Sequence, residues 1–207
     1  ALKIVLFIIS SAVFSAGNLF AGNVDSLKEL LALASPKESA YIYLQLAASP
    51  EVAYVNEAYD YAEKALDIGE KTNDSQIKGR AYLELAKLNQ RIARKSLAIE
   101  SYEKAIQFLG GLSDSANAYV ACSALGRIYS DQSDYKKAYT YFLQARSFVD
   151  TLVDHSKLAE LDKNFGNIYL SVGDYSKALA SYEKSLEFAK ESRDSAQMAF
   201  AIGSIGN

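Results

Sequence analysis

The chain is short of the residues on which most metal and nucleophilic chemistry depends. Among its 207 residues there is one Cys, one His, no Trp and only two Pro. The single cysteine, Cys122, excludes an intrachain disulfide framework and any Cys-rich metal site. With His155 as the only histidine, too few nitrogen and sulfur ligands remain for a zinc site. No metal and no cofactor is therefore expected. Positive charge is not in excess either: 22 Lys and Arg stand against 25 Asp and Glu, a net charge of −3. That balance lacks the basic footprint of a nucleic-acid binder, so no nucleic acid partner is expected. Scarce proline permits long uninterrupted helices, because Pro removes a helix donor and clashes with the preceding turn.

Long apolar runs are also scarce, with one exception at the start. Between Ala1 and Val24 the only charge is Lys3, and residues Ile4 to Ile9 are wholly apolar. Small residues follow at Ser15, Ala16 and Gly17 and again at Ala21 and Gly22. A basic start, a short apolar run and small residues form the pattern of a secretory leader. The run falls short of the roughly 20 apolar residues that span a bilayer. Residues 1–22 are thus set apart from an array over residues 23–207, the other reading being an apolar helix that caps the array. Export to a periplasm or cell envelope goes with the first reading and a cytoplasmic location with the second. No Cys near a cleavage site supports a lipid anchor.

What the chain has in plenty is self-similarity. Asp74, Asp114, Asp154 and Asp194 fall at equal spacing, three followed by Ser75, Ser115 and Ser195 and the fourth by His155. Glu63-Lys64, Glu103-Lys104 and Glu183-Lys184 recur in the same frame, with Leu143-Gln144 in the remaining slot. A period of about 40 residues marks a repeat architecture. Asp and Ser accept hydrogen bonds from the free N–H groups of a starting helix, so the Asp register marks helix starts.

Two helical segments can be read in each unit. Phe165-Gly166, Tyr169, Gly173, Tyr175, Ala178 and Tyr182 occur in order. Leu125-Gly126, Tyr129, Ser133, Tyr135, Ala138, Phe142 and Ala145 take the same places one unit earlier. This order resembles the tetratricopeptide repeat, with Leu-Gly-x-x-Tyr in its first helix and Ala-x-x-x-Phe-x-x-Ala in its second. Small residues let antiparallel helices approach, and aromatics three or four residues away fill the space between turns. An earlier unit keeps Leu85-Ala86, Asn89, Ala98, Tyr102 and Ala105. The first unit keeps Ala58, Ala62 and Ala65, after a first helix around Tyr41 to Ala48 that ends at Ser49-Pro50. The resemblance runs from Glu38 to Asn207. Its period exceeds the family's common one of roughly 34, which implies lengthened hairpins or loops. Ser204-Ile205-Gly206-Asn207 repeats the frame of Asn164-Phe165-Gly166-Asn167, so a fifth repeat begins and the natural protein is expected to continue. The resemblance implies an all-α fold, a right-handed α-α superhelix of helical hairpins with about four repeats and the start of a fifth.

Catalysis is not expected. His155 lies beside Asp154 and Ser156, but a nucleophilic triad needs its members to converge from separate places, and neighbours at a helix start diverge. His155 is read as a helix-start residue. Cys122 is read as buried and inert. Gly110-Gly111 lacks the Gly-Lys-Ser/Thr continuation of a phosphate loop and is read as a helix end. Tyr102, Tyr129, Tyr135, Tyr169, Tyr175 and Tyr182 are read as packing residues with their hydroxyls at the rim.

The resemblance further implies a binding scaffold whose first helices line a concave groove. Mapped onto this chain, the groove residues are Arg80, Lys87 and Gln90, then Ser123, Arg127 and Ser130, then Lys163 and Asn167. Lys87, Arg127 and Asn167 share one register, which Asn207 completes. Such donors suit a peptide carboxylate or acidic side chains, while Glu160 and Asp131 dilute the positive field. The alternative is an ordinary solvated surface. The expected partner is a protein or peptide in the groove, with membrane contact only through the leader or through regions outside this chain. The leader and Val24-Asp25-Ser26-Leu27-Lys28-Glu29-Leu30 resemble bacterial envelope repeat proteins, which suggests part of a sensor or regulator. A structural module that self-associates through its repeat ends, as a homo-oligomer, is the second expectation.

Overall fold

The computed structural model describes residues 24–206 except 53, 112, 113 and 151. The leader assigned to residues 1–22, and the register position of Asn207, lie outside the described residues. Ten α-helices are present and no strand occurs among the described residues: α1 (Val24–Leu31), α2 (Pro36–Ala48), α3 (Val55–Lys71), α4 (Ser75–Arg91), α5 (Lys95–Leu109), α6 (Ser115–Asp131), α7 (Tyr135–Arg146), α8 (His155–Ser171), α9 (Tyr175–Glu191) and α10 (Ser195–Ile205). They fall into two compact units, Ala1–Arg94 with α1 to α4 and Lys95–Asn207 with α5 to α10. The all-α expectation holds. The Asp register does mark helix starts, since α4, α6, α8 and α10 begin one residue after Asp74, Asp114, Asp154 and Asp194. Gly110 follows directly on the end of α5, as read.

The tight turns share one geometry. After α3, Asn73 takes φ 51°, its N–H donates to the Glu70 carbonyl at 3.2 Å, and the Asp74 N–H donates to the Gly69 carbonyl at 2.9 Å. These two bonds form a Schellman motif, which satisfies carbonyls that the helix end leaves without partners. It recurs at Ser133-Asp134 after α6, at Gly173-Asp174 after α8 and at Arg193-Asp194 after α9. The aspartate then serves the next helix. Asp74 accepts from the N–H groups of Gln76 and Ile77, Asp134 from Lys137, Asp174 from Lys177 and Asp194 from Gln197. One residue closes a helix with its backbone and opens another with its side chain.

Asp114 and Asp154 occupy the same register but make no side-chain cap. The preceding connections are longer, running from Leu109 to Ser115 and from Arg146 to His155, so the chain enters the helix differently. Asp114 instead accepts from Asn117 Nδ2 at 3.0 Å, and Asp154 from Lys157 Nζ at 3.0 Å.

In the first unit α1 joins the core: Leu27 is buried with Ile42, Leu46, Tyr61, Ala62 and Leu88. In the second unit the hairpins α6–α7 and α8–α9 close on small residues. A Cβ on Gly126 would lie 2.5 Å from the Phe142 ring, and one on Gly166 would lie 2.5 Å from the Tyr182 ring. Tyr102, Tyr129 and Tyr182 are buried, as expected of packing residues, and Tyr135 and Tyr169 are half-buried. Tyr175 departs from that reading at 71 % exposure. It is the first residue of α9, at the register that Lys95 holds in α5, a position turned to solvent.

Candidate ligand-binding face

In the first unit the three residues assigned to a groove all lie on α4. The Arg80 guanidinium stands 5.5 Å from the Tyr41 ring centroid, a cation–π distance. The Lys87 ammonium pairs with Glu84 at 2.7 Å, and Gln90 is exposed.

The second unit carries the other five, on α6 and α8. Ser123 is only 2 % exposed, so its hydroxyl is no part of an open face. Arg127 is exposed and Ser130 half-buried. Arg127 does not stand alone: its Nη1 donates to Glu160 Oε1 at 2.7 Å, and the Tyr119 hydroxyl donates to Glu160 Oε2 at 2.8 Å. Both oxygens of Glu160 are thereby engaged. Burial, reinforced by the Glu160 charge, pushes the Tyr119 phenol far above its ordinary range.

On α8, residues 160, 163, 164 and 167 share a face through the helical spacing of three and four residues. The Lys163 ammonium lies 5.5 Å from the Phe200 ring centroid and forms no ion pair among the described residues. Phe200, on α10, is 45 % exposed and meets Tyr182 edge to face at 6.4 Å. Asn167 Oδ1 accepts from the Tyr182 hydroxyl at 2.8 Å. Asn164 is buried, and its Nδ2 has no hydrogen-bond partner. Sequence mapping missed Asn164 and Phe200. Phe200 holds the register of Arg80 and Glu160, so the same mapping carried one unit further reaches it. Nothing in a single Asn signals that its amide is buried without a partner.

Other chemistry is dispersed. His155 is the first residue of α8, stacked on Phe188 with its Nδ1 3.4 Å from Glu191, while Ser156 is bonded to Gln197. These neighbours serve separate partners and do not converge. Burial pushes the Cys122 thiol up to about 12, which keeps it protonated and unreactive. No cluster of three or more metal-ligating side chains occurs among the described residues. No described helix is long and apolar enough to cross a membrane. One ion pair has a buried acid that no sequence pattern marks: Arg146 Nη1 donates at 3.0 Å to Asp162 Oδ1, while Asp162 Oδ2 has no hydrogen-bond partner.

Two family models described as tetratricopeptide repeat match the chain, over residues 114–191 and 79–108. The search of curated proteins returns no match. Several solved structures share the fold. BtubC from P. vanneervenii is 20 % identical with a TM-score of 0.75, covering 88 % of this chain and 77 % of that one. A signal transduction ATPase with numerous domains, carrying a tetratricopeptide repeat sensor, from Pyrococcus horikoshii, is 21 % identical with a TM-score of 0.77. That match covers 88 % of this chain but only 28 % of the ATPase. A Rap protein complexed with Competence and Sporulation Factor is 21 % identical with a TM-score of 0.69, covering 86 % of this chain and 51 % of its own. At these identities the likeness is one of fold. The helical hairpins, the small-residue and aromatic code that closes them and the matching family models agree: the chain belongs to the tetratricopeptide repeat family.

Proposed function

We propose that this protein is a non-catalytic scaffold whose α6–α8 face binds a segment of a partner protein through that segment's carboxylate and carbonyl oxygens. The observation that carries the reading is the one-sided hydrogen-bonding character of α8. Lys163 offers an ammonium with no ion pair among the described residues, and Asn167 an amide whose oxygen is already taken by Tyr182, which leaves its N–H groups to a ligand. A wall that offers donors selects a ligand that offers acceptors, and charge-assisted bonds to a carboxylate are the strongest of these. Phe200 adds an exposed apolar surface beside Lys163. The Rap protein bound to Competence and Sporulation Factor supports the reading, as a protein of the same fold that holds a partner.

A peptide-array screen followed by titration of the best binder tests it. Lys163→Glu should weaken binding by about tenfold or more, the scale of a lost charge-assisted contact. Affinity equal to that of the unmodified protein would remove α8 from the site. The same proposal extends to an exported sensor or regulator. Support for export comes from the pattern of residues 1–22, and support for sensing from the repeat sensor of the Pyrococcus ATPase. Mass spectrometry of the protein recovered from its native host tests the export step. A cytosolic species that retains residues 1–22 would reject it.

A further inference from the structure

We infer that Glu160 sets the charge specificity of this face: it cancels Arg127, so that the face accepts an isolated carboxylate at Lys163 and turns away runs of acidic residues. This rests on the reading of the α6–α8 face as the ligand site. Glu160 uses one carboxylate oxygen on Arg127 and the other on Tyr119, both on α6. No packing need of the repeat explains an acid there. The same register position holds Arg80 in α4, Val120 in α6 and Phe200 in α10, so the hairpins form with a base, an aliphatic or an aromatic residue in that place.

Magnitude argues against a stabilising role as well. The Arg127 and Glu160 side chains are 47 % and 30 % exposed, and pairs so open to water contribute about 0.2–1 kcal/mol. The effect on a ligand is larger. A ligand carboxylate approaching Arg127 meets a guanidinium already satisfied. If it displaces Glu160, it leaves that charge beside it, and like charges held together are a standard means of rejecting the wrong partner. Three residues along α8, Lys163 makes no ion pair among the described residues; the Asp194 carboxylate that feels its charge is engaged in capping α10. Of the two cations on this face, only Lys163 is left outside an ion pair.

Two probes followed by NMR titration separate the possibilities at matched ionic strength: hexaglutamate, and an N-acetylated Ser-Gly hexapeptide whose only charge is its terminal carboxylate. In Glu160→Gln, whose isosteric amide keeps the shape, hexaglutamate affinity should rise about tenfold while that of the singly charged peptide moves less than about twofold. Arg127→Gln, with Glu160 left uncovered, should weaken hexaglutamate further. Unchanged or weaker hexaglutamate binding in Glu160→Gln overturns the inference, as does an equal gain for both probes or no binding to any form. Lys163→Glu reports on the face itself. If that variant binds the singly charged peptide normally, the site assignment fails, whatever Glu160 does to hexaglutamate.

Discussion

Gly126 and Gly166 sit where a helix of the second unit crosses an aromatic ring with no room for a methyl group, and the two rings belong to residues 16 positions further on. Adding a Cβ at Gly166 forces Tyr182 to move, and Tyr182 is tied to Asn167 by a 2.8 Å hydrogen bond. Gly166→Ala should therefore destabilise the protein by about 1–3 kcal/mol, the usual scale of overpacking, read as a lower urea midpoint at constant slope. The turn residues make the opposite test. Ser133 and Gly173 hold equivalent turns at φ 61° and 80°. A non-glycine residue pays roughly 1–2 kcal/mol for that region, so Ser133→Gly should stabilise by about 1 kcal/mol and Gly173→Ala should destabilise by a similar amount. Opposite signs at one register would identify backbone conformation as the cause; equal signs would refute it. The small residues and their aromatic partners were legible in the sequence because the repeat keeps them at fixed spacing. The buried donor of Asn164 was not, since hydrogen-bond satisfaction depends on neighbours that no local pattern names.

Helix boundaries come from the aspartates, and their charge can be followed with pH. Burial by itself would raise the Asp74 carboxyl, but Lys37 at 2.8 Å and the N–H groups of Ile77 and Gln76 outweigh it and hold the group below its ordinary range. A lowered folded value means that the stabilisation is present above the ordinary carboxylate pKa and is lost as pH falls through the folded one. Asp74→Ala should thus destabilise by about 1 kcal/mol at neutral pH, with the gap closing below about pH 4. Asp162 behaves in the reverse sense. Burial outweighs the attraction of Arg146 and raises its carboxyl, so its contribution is complete below the ordinary carboxylate pKa and is lost as pH rises through the folded value. Arg146→Leu removes the partner of a charge only 3 % exposed and should destabilise by about 3 kcal/mol at neutral pH, less in acid. The double variant Arg146→Leu, Asp162→Leu should come back close to the original stability, because the equivalent places hold Ile106 and Leu186 on one side and Cys122 on the other. A double variant as unstable as the single one would mean that the pair stabilises the fold. That pair was invisible in the sequence for a plain reason. Arg146 and Asp162 lie on different helices, and each looks like an ordinary surface charge until the hairpins pack.

At the level of the whole chain, a repeat array has no single core, so each hairpin draws its stability from its immediate neighbours. In the second unit this makes stability uneven. Helix α6 buries ten of its 17 residues and α8 buries eight, whereas α7 buries three of its 12. Local opening free energies follow burial, from near zero at frayed segments up to the global value. Amide hydrogen exchange should accordingly be slowest in α6 and α8 and faster in α7 by about tenfold or more, a gap of roughly 1.4 kcal/mol. Function sharpens the expectation. The donors of α8 and the Arg127–Glu160 pair stand on the protected helices and are held in place before any ligand arrives, while Phe200 stands on α10. Saturating the protein with the singly charged peptide should leave exchange in α6 nearly unchanged and slow it in α10. Slowing confined to α6 and α8, with α10 unaffected, would take Phe200 out of the binding face and leave the helix donors as its whole extent.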